Sequence, residues 1–217
     1  MSDFTARRVM MVDTQVRPSD VTKFPIIDAM LDVARENFVP RDRREAAYMD
    51  GNIPLGAGRT VLEPRSFAKM LDALDLQNDE LVLDIGSGLG YSAAVMAHIA
   101  QAIVACEADE SMSAESEVAL NDAGIDNVIA HVGALDAGVP EHGPYDVIAI
   151  QGGVELVPDA ILEQLKEGGR IAALFMEGAL GEVRVGHKIG GRMNWRLAFN
   201  ASAPILPGFA KERAFAL

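Results

Sequence analysis

The chain has 217 residues, 49% of them hydrophobic, and a formal net charge of -13. That length suits one α/β core and a single domain, and the acidic balance excludes a broad nucleic-acid-binding face, which needs Lys and Arg against phosphates. One cysteine excludes an internal disulfide framework, four histidines without ligand spacing give no reason to expect a metal, and no stretch reaches the ~18 apolar residues of a membrane span.

Met1 to Arg8 lacks the apolar region of a signal peptide, so the expected compartment is the cytoplasm. An N-terminal helical cap is expected to about Asp50, with one helix near Phe4 to Gln15. A second runs from Pro25 to Ala34, where Pro25 suits a first turn and Ile26, Ala29, Met30 and Val33 recur at helical spacing. Arg35, Arg41, Arg43 and Arg44 cluster, but Glu36, Asp42 and Glu45 interleave with them, which reads as a solvated surface. Residues 51–64 hold Gly51, Pro54, Gly56, Gly58 and Pro64, too many breakers for regular structure. Ser66 to Leu74 follows as a helix with Phe67, Met70, Leu71 and Leu74 on one face.

The most informative stretch comes next. Leu81 to Ile85 is a buried strand, Gly86-Ser87-Gly88-Leu89-Gly90 a turn, and Tyr91 to Ala100 a helix free of Gly and Pro. Glycines leading into a helix start let the backbone approach a ligand and offer free N–H groups. A dinucleotide site normally reads G-x-G-x-x-G against a pyrophosphate. Here G-x-G-x-G follows Asp84, which would repel a pyrophosphate and suits a cation. S-adenosylmethionine, with a sulfonium, an ammonium and no phosphate, fits better; the other reading is a strand-to-helix turn without ligand. The strand Ala102 to Cys106 ends in Glu107, 23 positions after Asp84. That is near the ~20 expected for an acid binding both ribose hydroxyls, the alternative being a solvated strand-end acid. Cys106 reads as a small buried hydrophobe.

A helix near Ser111 to Ala123, strands at Val128 to Val132 and Tyr145 to Ile150, a helix near Pro158 to Leu165 stopped by Gly168-Gly169, and a strand at Arg170 to Phe175 complete the alternation. Gly181 to Ile189 and Trp195 to Asn200 flank Gly190-Gly191-Arg192 as an antiparallel hairpin. The expected fold class is α/β: a Rossmann-like, doubly wound, mostly parallel sheet with helices on both faces, an N-terminal helical cap and a C-terminal antiparallel hairpin, the class I methyltransferase pattern. One domain spanning 1–217 would divide into a cap and substrate loop (1–64), a cofactor-binding core (65–175) and a hairpin with tail (176–217). Gly86, Glu107, Gly133 and Gln151 should meet at the carboxyl ends of the strands.

Several segments together resemble the protein-L-isoaspartate O-methyltransferases. They are Ala29-Met30-Leu31, Phe38-Val39-Pro40, Ala47-Tyr48, Pro54-Leu55, Gly58-Arg59-Thr60 and Pro64 before the glycine loop, and Gly143 to Ile148 and Ile161 to Ile171 after it. The similarity spans about Ile26 to Phe175. The resemblance implies an enzyme that uses S-adenosylmethionine to methylate isoaspartyl carboxylates in damaged proteins, with protein or peptide partners. It assigns the cofactor to Asp84, Gly86, Ser87, Gly88 and Gly90, the ribose to Glu107, and the adenine side to Gly133 and Ala134.

Two positions depart from the family pattern. Leu62 stands where the family's Thr-Ile-Ser-x-Pro has its serine, which would contact cofactor and substrate. Ala134 stands where Gly-Asp-Gly has the acid that reads adenine, leaving that contact to a backbone group or Asp136. The catalytic residue is therefore unassigned, with Thr60, Arg65 and Ser66 as substrate-loop candidates: a guanidinium can grip a carboxylate, and a helix start favours anions. The alternative has Ser66 as a helix cap and Arg65 in solvent. Other readings of function are a methyltransferase with a different carboxylate or small-molecule acceptor, and a cofactor-binding domain without turnover.

Overall fold

The computed structural model describes residues 3–211. Helix α1 (Asp3–Met11) continues as a wider-turned segment over Val12–Val16 and a tight turn at Arg17–Ser19. The α form therefore stops earlier than Gln15, where the Thr14 hydroxyl bonds back to the Met10 carbonyl at 2.7 Å. Helix α2 (Phe24–Asp32) starts with Pro25 in its first turn and buries Ile26, Ile27, Ala29 and Met30.

Residues 51–64 are more ordered than their breakers suggest. Strands β1 (Ile53–Gly56) and β2 (Arg59–Val61) form an antiparallel hairpin. Gly56 and Gly58 form its tip, Pro54 lies within β1 opposite Thr60, and the Thr60 hydroxyl ties the pair by donating to the Ile53 carbonyl at 3.0 Å. Helix α3 (Pro64–Leu74) follows, with Phe67, Met70, Leu71 and Leu74 buried and Asp75 in the left-handed region closing its end.

The main sheet takes β3 (Leu81–Ile85), β4 (Ala102–Glu107), β5 (Val128–Val132), β6 (Tyr145–Val154), β7 (Leu165–Glu177), β8 (Leu180–Ile189) and β9 (Arg192–Ala201) in the order β5-β4-β3-β6-β7-β8-β9. The first five in that order pair in parallel; β8 and β9 pair antiparallel. Gly190 and Gly191, with φ of 60° and 71°, join β8 to β9. A two-residue turn with both φ positive matches the strand twist and is open to glycine at little cost.

Side chains alternate across the sheet. Val82, Ile103, Ala105, Val147 and Ala149 pack with α2, α3 and α4 (Tyr91–Ala97), and Leu120 of α5 (Glu110–Asp122) joins that core. Leu83, Ile85, Val104, Cys106, Ile148 and Ile150 face the other side. Helices on both faces were expected. The second face carries the short α6 (Asp159–Glu163), and Leu135, Val139, Leu206 and Phe209 from irregular segments fill the rest.

Gly168-Gly169 is not a helix stop. Helix α6 ends at Glu163 and β7 begins at Leu165, which pairs with Tyr145. The register then jumps to Val147 opposite Arg170, so the glycines lie in an irregular stretch of β7. No helix among the described residues is long and apolar enough to cross a membrane. Strand order reverses between β3 and β6, which opens a crevice at their carboxyl ends.

Candidate active site at the carboxyl ends of the central strands

Asp84 sits at this crevice with no exposed surface. It accepts from Ser92 Oγ at 2.6 Å and Gln151 Nε2 at 2.7 Å, which ties β3, α4 and β6 together. Neither partner is charged. Burial outweighs both hydrogen bonds and pushes the carboxyl up to about 7, with the Glu107 charge adding to the rise.

The glycine turn wraps the end of β4. Gly86 and Ser87 donate backbone N–H to the Cys106 carbonyl at 2.9 and 3.3 Å, and Gly88 N–H donates to Glu107 Oε2 at 3.0 Å. Gly88 has φ of 56°, and a Cβ there would lie 2.5 Å from Leu55 Cδ1 of the β1–β2 hairpin. At Gly90, with φ of 92°, a Cβ would lie 2.3 Å from Ser116 Oγ. Gly90 is thus required for the packing of this turn against α5, apart from any ligand.

Glu107 is 1% exposed. Its oxygens accept from Arg59 and from the backbone N–H groups of Gly88, Ala108 and Asp109. A solvated strand-end acid is therefore excluded. Arg59 escaped the sequence reading, although a signal existed: a buried acid needs partners, and Arg59 is the sole Lys or Arg between Arg44 and Arg65. Gly133 donates its N–H to the Glu107 carbonyl at 3.0 Å, Gly86 donates to the neighbouring Cys106 carbonyl, and Gly86 and Gln151 line one small cavity. Ala134 is exposed beyond them, and Asp136 packs against Gly208 of the tail. Cys106 is free, and burial pushes its thiol up to about 12, consistent with a small core residue.

The substrate-loop candidates are oriented differently from expectation. The Thr60 hydroxyl is used inside the hairpin. Ser66 donates to the Glu63 carboxylate and caps nothing by itself. Arg65 turns toward β9, with Nη1 3.5 Å from the Asn200 carbonyl and its guanidinium 5.9 Å from the Phe199 ring centroid. Glu63 already supplies a carboxylate at the start of α3, so an acceptor carboxylate has no vacancy there. Leu62 is buried, and its carbonyl accepts from Nη2 of the fully buried Arg35 at 2.8 Å. Arg35 also donates to the Ala47 carbonyl at 2.7 Å and stacks 4.5 Å from the Tyr91 ring centroid. Unlike the solvated cluster its neighbours in sequence suggest, Arg35 is buried and fastens the loop bearing Leu62. Leu62, Tyr91, Ser92 and Gln151 line a cavity of about 10 Å³, room for about one water. No grouping of three or more His, Cys, Asp or Glu that could hold a metal occurs among the described residues.

A parallel sheet with a reversal point, a glycine turn, and buried carboxylates ending the two adjacent strands define a class I S-adenosylmethionine-dependent methyltransferase. The donor set among the described residues fits that cofactor: no basic cradle for a pyrophosphate, an acid at β3 with only neutral partners, and a second acid at β4. A family model described as protein-L-isoaspartate(D-aspartate) O-methyltransferase matches residues 8–182. The chain belongs to the protein-L-isoaspartate O-methyltransferase family.

Proteins of that name from Opitutus terrae and Methylorubrum populi are 38% and 39% identical over 77% and 76% of this chain, covering 72% and 78% of their own lengths. A solved protein-L-isoaspartate O-methyltransferase superposes with a TM-score of 0.81 at 26% identity, over 93% of this chain and 66% of that one. A Plasmodium falciparum chain described as a beta-aspartate methyltransferase in complex with S-adenosyl-L-homocysteine shares the fold, with a TM-score of 0.78 at 18% identity over 95% of this chain and 99% of its own.

Proposed function

We propose that the chain methylates the free carboxylate of isoaspartyl residues in damaged proteins or peptides, and that its own residues act by binding and orientation. One observation carries this reading: two buried carboxylates, Asp84 and Glu107, flank a glycine turn at the reversal point of a family-matched sheet. The residues that would hold the cofactor are Asp84, the turn of Gly86, Ser87, Gly88 and Gly90, Glu107, and Gly133 with Ala134. When bound, S-adenosylmethionine supplies a methyl group activated by its sulfonium. The acceptor carboxylate ionises near pH 4 and needs no general base. The chain's work is to bring the reacting atoms ~3 to 3.5 Å apart in line and to exclude water.

Burial of Leu62, Phe67 and Tyr91 beside Ser92 and Gln151 supports such a dry site. Arg35 would keep the loop in place through the Leu62 carbonyl. The unit would be one domain spanning 1–217, the cap providing the hairpin, the core the cradle, and the tail a cover through Leu206 and Phe209. The acidic chain would work in the cytoplasm, without nucleic-acid or membrane partners.

The test is the initial rate of methyl ester formation on an isoaspartyl peptide, with the aspartyl peptide as control. Turnover confined to the isoaspartyl peptide is expected. Turnover on neither, with S-adenosyl-L-homocysteine still bound, would favour a different acceptor.

A further inference from the structure

The hairpin places two side chains on the cradle, Leu55 from β1 and Arg59 from β2. Leu55 covers Gly88. Arg59, only 3% exposed, approaches Glu107 with Nε at 2.9 and 3.1 Å from the two oxygens and Nη2 at 2.8 Å from Oε1. Its Nη1 donates to the Ala57 carbonyl at 3.2 Å. The Gly88, Ala108 and Asp109 amides, at 3.0, 2.8 and 3.0 Å, also point at this carboxylate. A carboxylate offers about four acceptor sites, and the amides with the guanidinium use them all. Two further hydroxyl donors have no place on Glu107 while Arg59 stays.

We propose that Arg59 is the affinity-determining residue of the cofactor site, holding Glu107 in the place the ribose hydroxyls take. This rests on the reading of Glu107 as the ribose acid. Cofactor then enters by exchange: the guanidinium leaves the carboxylate, two hydroxyls replace its donors, and the three backbone amides stay. Exchange suits a buried carboxylate, because an acid stripped of its donors inside the protein is costly and Arg59 spares the ligand-free state that condition. The same exchange subtracts from cofactor affinity, since a satisfied pair must be broken first.

The test is calorimetric binding of S-adenosyl-L-homocysteine to the full chain and to Arg59→Gln, Glu107→Gln and the double variant. Arg59→Gln should bind at least tenfold more tightly than the unmodified protein, and Glu107→Gln should erase that gain in the double variant. Equal or weaker binding by Arg59→Gln, with binding still dependent on Glu107, overturns the proposal. Binding indifferent to Glu107→Gln in both backgrounds overturns instead the ribose assignment. Absence of binding by both the unmodified chain and Arg59→Gln also overturns the proposal.

A second measurement uses the unmodified protein, in case a variant fails to fold. The Arg59 Nε–H proton should be protected from exchange without ligand and exchange at least tenfold faster with saturating S-adenosyl-L-homocysteine. Protection that persists under saturation overturns the exchange.

Discussion

The ends of β3 and β4 lie side by side in one sheet, each carrying a buried carboxylate in its last two residues, yet they are satisfied differently. Glu107 has a guanidinium and three backbone amides; Asp84 has a hydroxyl and a side-chain amide, both neutral. The difference is imported: Arg59 comes from the cap, and no cation among the described residues pairs with Asp84. A cationic ligand would therefore find its electrostatic vacancy at β3, while the β4 acid is already neutralised.

Removing one member of the charged pair should have the largest effect. Glu107→Ala leaves Arg59 buried without a counter-charge, and a loss of ~3 to 5 kcal/mol in urea unfolding at pH 7 is expected. A loss below ~1 kcal/mol would mean that Arg59 reaches water when released.

The neutral side predicts the opposite sign. Because the folded carboxyl of Asp84 titrates at about 7, above the ordinary 3.8, the folded state keeps a proton that the unfolded chain has released. Stability from this group therefore falls as pH rises from about 4 to 7, and the cost is complete above 7. Asp84→Asn should remove that slope, with a gain of ~1 to 3 kcal/mol over the unmodified protein at pH 8 and almost none at pH 4. A difference that stays constant across that range would show that Asp84 keeps its charge throughout.

The smallest effect is expected at Arg65, which lies away from both carboxylates. Arg65→Ala should change stability by less than ~0.5 kcal/mol and leave S-adenosyl-L-homocysteine affinity unchanged. A clear loss of affinity would return Arg65 to the site.

The order of strands and helices, the glycine turn, Asp84 and Glu107 were legible because each depends on local pattern: an apolar run of strand length, breakers at its end, and an acid at a fixed step. The β1–β2 hairpin was hidden because Pro54 lies inside one short strand and Gly56 and Gly58 form the tip, so only the pairing in space marks it. Ser66, Arg65 and Arg35 were misplaced for a related reason. Their residue types suit several partners, and the partner chosen depends on which element packs alongside: Glu63 for Ser66, β9 for Arg65, and the carbonyls of Ala47 and Leu62 for Arg35.

By itself, then, the amino-acid sequence determined the class I methyltransferase sheet, its family and the carboxylates at its strand ends, since hydrophobic periodicity and glycine steric freedom act over a few neighbouring residues. Tertiary structure alone decided that Glu107 is held by Arg59, 48 positions earlier, while Asp84 meets the neutral Ser92 and Gln151. Those pairings arise when distant segments are brought into the same dry space, where an unpaired charge is expensive and whichever donor arrives there becomes its partner.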